Sequence, residues 1–313
     1  MTEDPGRSGE ISFLTPSDIQ FGGIPAPYFD YDKARICILP VPYEGTVTYG
    51  RGTSGGPGAI LQASTNMELW DEEMKANIFE SGIHTFSPLG NCSTPLEMLE
   101  RVYSSAKILV QDGKFVVLLG GEHSLTQGIV RAYYEKYPLV SVLQIDAHTD
   151  LRKEYDSSPL SHACAMRWIY DREIPLVQVG IRSTSEEERA LYDKNRSNIF
   201  LASEIVNEHS ARWMDEVVSR FSDSVYITLD VDGLDPSIMP STGTPEPGGL
   251  GWYQVLALLR KVASRKTVVG FDIVELAPEK RNQAPDYLCA RLLYKMLGYV
   301  FFRKDTSAQV SMD

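Results

Sequence analysis

The chain has 313 residues, of which 43% are hydrophobic and 23% charged, an ordinary balance for a soluble globular protein with a sizeable core. Its net charge of -12 disfavours nucleic acid and anionic membrane as partners and permits a cationic ligand. The four cysteines show no CxxC spacing, the acidic N-terminus does not read as a signal peptide, and no apolar run is long enough to span a membrane. A reducing cytoplasm is the expected location.

Residues 1–34, rich in Gly, Pro and aromatics, read as an irregular arm packed on the body or on a neighbouring subunit. The first strand is predicted over 36–40. A glycine-rich loop, 42–57, has the character of a turn-dense segment beside a pocket. A helix is expected from 58. Another opens at Pro95, with Leu96, Leu99, Val102 and Leu109 at roughly helical spacing. Further strands are predicted over 115–119, 139–145, 176–180, 225–229 and 268–274, and 199–201 is a short apolar segment. Helices are expected over 124–135, 185–192, 212–218, 252–262 and 285–302, and 303–313 is a polar tail. Continuous apolar strands alternating with helices indicate a parallel sheet covered on both faces, here as one α/β domain over 35–302. In such sheets ligands bind beyond the carboxyl ends of the strands.

Polar clusters stand at those ends. Residues 120–124 are Gly-Gly-Glu-His-Ser, 146–150 are Asp-Ala-His-Thr-Asp, and the strand before Asp230 runs into Asp230-Val231-Asp232. His123, Asp146, His148, Asp150, Asp230 and Asp232 together offer two imidazoles and four carboxylates. That exceeds the three protein ligands usual for a catalytic zinc and suits a pair of divalent ions sharing carboxylates. An oxygen-rich set without thiolate favours Mn²⁺ on hardness grounds. His84 and His209 lack such context and read as structural.

These motifs, with DVDGLDPSIMPSTGTPEPGG at 230–249 and the YEGTVTYGRGT loop, resemble the ureohydrolases, the arginase/agmatinase family, from about Pro40 to Tyr299. The resemblance implies a three-layer α/β/α fold around an eight-stranded, mostly parallel sheet, a trimer or hexamer, and two Mn²⁺ ions per subunit. One ion would be held by His123, Asp146, Asp150 and Asp230, the other by Asp146, His148, Asp230 and Asp232, with a bridging hydroxide attacking a guanidinium carbon. His162 takes the position of a proton-shuttling histidine, Glu275 that of the carboxylate gripping the guanidinium, and Thr244 that of a neighbour of this group. Asp272 reads as a supporting or structural acid, and Asp235 and Pro236 as residues shaping the turn.

In arginases, the loop before the shuttle histidine carries Asn and Ser groups that read the amino-acid end of the substrate. Here residues 151–161 contain no Asn, which favours a decarboxylated guanidine such as agmatine. Guanidinobutyrate, guanidine and arginine remain open. So does a catalytically silent relative that binds metal. A dinuclear phosphoesterase would want cationic side chains around the metals, whereas Glu275 suits a cationic substrate. Glu154 and Asp156 are the acids expected near an amine tail.

Overall fold

The structure is a computed structural model and describes residues 14–208 and 210–302. Ten strands are found among them: β1 (Ile36–Val41), β2 (Trp70–Asp71), β3 (Ala76–Asn77), β4 (Ile83–Thr85), β5 (Phe115–Gly120), β6 (Ser141–Ile145), β7 (Leu176–Ile181), β8 (Ile199–Leu201), β9 (Ser224–Asp230) and β10 (Thr267–Val274). β2 and β3 make a small antiparallel pair. The other eight form one sheet in the order β4-β1-β5-β10-β9-β6-β7-β8. Every pairing in it is parallel.

Alternate side chains of each strand leave opposite faces. Ile36, Ile38, Val117, Leu119, Ile227 and Leu229 enter one apolar cluster with the helices Gly56–Ser64, Arg212–Ser219, Trp252–Arg265 and Ala284–Phe301. Cys37, Leu39, Val116, Leu118 and Tyr226 enter the other, with Pro95–Gln111, Thr126–Lys136 and Arg167–Asp171. Helices therefore cover both faces, and this explains why the strands carry few polar residues. The Pro95–Gln111 helix is started by a capping box in which Thr94 accepts from the Glu97 N–H and Glu97 accepts from the Thr94 N–H.

The edge strand β4 was not legible: Ile83-His84-Thr85 is too short to show a period. The helix expected from 124 begins at Thr126, because His123–Leu125 forms a separate 3-10 turn. The described part of the arm packs on the body, with Phe21 and Ile24 buried, and the Phe21 and Gly22 N–H groups donate to Thr85 and Ser64 hydroxyls. His84 is a buried core residue whose Nδ1 lies 2.8 Å from the Phe29 carbonyl. His209, residues 1–13 and the tail 303–313 lie outside the described residues. All four cysteines are free. Among the described residues, no helix is long and apolar enough to cross a membrane.

Candidate active site

The four central strands, β5, β10, β9 and β6, are neighbours and point the same way. Their carboxyl ends therefore converge at one edge. β5 delivers Glu122 and His123, β6 delivers Asp146, His148 and Asp150, β9 ends on Asp230 and turns to Asp232, and β10 leads into Glu275. All of these but Glu122 and Asp146 line one cavity of about 330 Å³, together with His162 and Thr244. Glu154 and Asp156 are exposed and do not line it.

His123 Nδ1 lies 3.1 Å from Asp146 Oδ2, 3.0 Å from Asp150 Oδ2 and 3.3 Å from Asp230 Oδ2. It is buried yet makes no properly oriented hydrogen bond. His148 Nδ1 lies 2.9 Å from Asp232 Oδ2 and 3.7 Å from Asp146 Oδ1. The ligand atoms fall into two mutually close groups, His123–Asp146–Asp150 and Asp146–His148–Asp232, and Asp146 belongs to both. Asp230 stands on the His123 side. Burial and repulsion from Asp146 push Asp150 up to about 7. Burial and neighbouring acids also raise Asp230 and Asp232. Such a crowd of buried acids around an orphaned imidazole nitrogen fits bound divalent cations.

Other side chains aim these ligands. His123 Nε2 lies 2.9 Å from the Thr228 hydroxyl, which donates to Asp272 Oδ1 at 2.6 Å. Asp272 also accepts from the Tyr226 and Thr126 hydroxyls. With the Thr228 proton committed to Asp272, His123 Nε2 must donate to Thr228, and Nδ1 keeps its lone pair for a metal. Asp146 Oδ2 accepts from Gln144 Nε2 at 2.6 Å, and Gln144 Oε1 accepts from Gln178 Nε2 at 2.6 Å. The Asp230 Oδ1 accepts from the Asp232 N–H, and Asp232 Oδ1 from the Ala147 N–H. Asp235 shapes the following turn by accepting from the Ser237 N–H. Sequence reasoning missed Thr228, Gln144 and Gln178 as orienting groups. Their signal was a polar residue inside an otherwise apolar strand.

Glu275 is held at φ 67° and Asp150 at φ 52°, a backbone region that costs a non-glycine residue on the order of 1–3 kcal/mol. The Glu275 N–H donates to the Gly121 carbonyl, and its Oε1 accepts from the His123 N–H at 2.7 Å. Its Oε2 has no hydrogen-bond partner among the described residues, and burial raises its pKa. A cation placed beside it would favour the ionised carboxylate. His162 opens a 3-10 turn across the cavity; burial lowers it to about 4, so it is neutral at neutral pH. Tyr155 sits edge-on to its ring with centroids 5.8 Å apart, and Arg152 lies over Tyr155. Tyr49, Arg152 and Tyr155 also line the cavity.

The Arginase family model matches residues 34–298. An N(1)-aminopropylagmatine ureohydrolase of Thermus thermophilus is 39% identical over 89% of this chain and 93% of that protein. One of Synechocystis is 37% identical over 86% and 90%. The crystal structure of the agmatine ureohydrolase of Thermoplasma volcanium superposes with a TM-score of 0.82 at 30% identity, covering 91% of this chain and 95% of that one. With the cavity and its ligand groups as described, the chain belongs to the arginase family and is a hydrolase acting on guanidino compounds.

Proposed function

We propose that this enzyme hydrolyses a guanidine with an amine tail, N(1)-aminopropylagmatine in the first place and agmatine as the shorter alternative, to urea and the corresponding amine. Glu275 carries the reading: a buried carboxylate beside the ligand groups, with Oε2 left open, matches a planar guanidinium. Thr244, also in the cavity wall, is a second contact for that group. His123, Asp146, Asp150 and Asp230 would hold one divalent cation and Asp146, His148, Asp230 and Asp232 the other, with Mn²⁺ favoured by the oxygen-rich set. The chemistry supplied there is activation of water at neutral pH. Water adds to the guanidinium carbon, the bond to the alkylated nitrogen breaks, and urea leaves with the amine. Neutral His162 takes up the water's proton and gives it to the departing nitrogen.

Two observations support the amine tail. The relatives described above act, by name, on N(1)-aminopropylagmatine or on agmatine. Tyr49 and Tyr155, both in the cavity wall, are side chains beside which a cationic tail rests more favourably than a carboxylate. Arg152 favours a second reading, a carboxylate-tailed guanidine such as 4-guanidinobutyrate, although its guanidinium already stacks on Tyr155 and lies 3.6 Å from Glu187. Urea release from N(1)-aminopropylagmatine, agmatine, 4-guanidinobutyrate and arginine separates them. The proposal expects kcat/KM for the amine-tailed pair to exceed the others by at least about 10-fold. A preference for 4-guanidinobutyrate establishes the second reading instead.

A further inference from the structure

Thr46 lies in the glycine-rich loop after β1, outside the cavity lining, where two functional segments meet. Its N–H donates to Glu122 Oε2 and its hydroxyl to Glu122 Oε1, both at 2.7 Å. The same hydroxyl oxygen accepts from the His162 N–H at 3.0 Å and stands 3.3 Å from His162 Nδ1. Glu122 is fully buried and also accepts from the Ser124 hydroxyl, so donors converge on it from Thr46 and from Ser124. A threonine hydroxyl has one proton to give. With that proton directed at Glu122, Thr46 presents only lone pairs to the imidazole. Ser161 Oγ, also 3.3 Å from Nδ1, stands on the same side of the ring. His162 Nε2 makes no hydrogen bond to the described residues.

We propose that Thr46, locked by Glu122, is a positioning residue that fixes His162 as the Nδ1–H tautomer and leaves Nε2 as the free proton carrier. The inference rests on the reading of His162 as that carrier. It ties the glycine-rich loop to the chemistry through one hydroxyl, and it gives the buried Glu122 a role beside its metal-binding neighbour. An imidazole free to take the other tautomer would present an N–H where a base is needed, and a misassigned tautomer is costly in proton-transfer sites.

Steady-state urea release by the Mn²⁺-loaded full chain tests it, with bound metal measured for each variant. His162→Asn should lower kcat by about 100-fold or more. Thr46→Val should lower kcat by about 10-fold or more, keep KM within about twofold and keep the bound metal, because the lost group acts on the chemical step alone. Thr46→Ser, which restores the hydroxyl, should recover most of the loss. In the His162→Asn background, Thr46→Val should add almost nothing, since the two act as one unit. A wild-type kcat in Thr46→Val, or an equal loss in both backgrounds, overturns the proposal. An undiminished kcat in His162→Asn refutes the proton-carrier reading itself, and the positioning role falls with it. If Thr46→Val does not fold, Glu122→Gln bears the same prediction: a kcat loss that disappears in the His162→Asn background supports the proposal, and an unchanged kcat refutes it.

Discussion

Asp146 belongs to both mutually close groups of ligand atoms, whereas Asp230, the other acid assigned to both ions, stands nearer His123. The two oxygens of Asp146 face different imidazoles, Oδ2 toward His123 and Oδ1 toward His148. Gln144, backed by Gln178, holds it there. Asp146→Asn should therefore abolish binding at both positions, whereas Asp232→Asn should retain about one ion per chain, on the His123 side, if the site is a two-metal clamp. Metal analysis of the purified variants decides; equal metal content in the two contradicts the sharing. The candidate ligands were legible because each sits in a short motif at a strand end. The residues that aim them were not. Thr228 and His123 are 105 positions apart, and Glu122 and Thr46 are 76 apart, so only the fold brings each pair together.

The elements that carry the site approach each other closely, and glycine permits it. A Cβ on Gly121 would lie 2.0 Å from the Tyr43 carbonyl oxygen, and the Gly121 carbonyl accepts the Glu275 N–H. Gly121→Ala must push apart the segments that follow β1 and β5 and disturb the hydrogen bond from Glu275. It should destabilise the fold by about 1–3 kcal/mol, in the range of overpacking changes, and reduce metal occupancy by displacing His123. Urea denaturation reads the first effect, and an unchanged midpoint would refute it. The long strands and amphipathic helices were predictable from apolar runs and helical spacing. Three-residue β4 was not, because three positions cannot show a period. The left-handed backbones of Asp150 and Glu275 were equally hidden, since an Asp takes such a φ only occasionally and a Glu more rarely still.

Metal bound at the acidic cluster would change the stability of the whole fold. Without metal, burial and neighbouring acids raise Asp150 to about 7 and raise Asp230 and Asp232 in the same direction. A raised carboxyl pKa favours the folded state while the group is protonated. That contribution is complete below the unfolded value of about 4 and is lost as pH rises through the folded values. Metal binding replaces it, most strongly where the acids are ionised. The gap in Tm between metal-loaded and chelated protein should thus widen from about pH 5 to about pH 8; a constant or narrowing gap contradicts the linkage. Guanidine hydrolysis at a paired metal site is read out as urea release from N(1)-aminopropylagmatine or agmatine while chelated enzyme is reloaded with Mn²⁺. The chelated protein should release no urea, and activity should be full near two ions per chain, with one amine formed per urea. Absence of urea from every guanidino compound at full metal loading would contradict that activity.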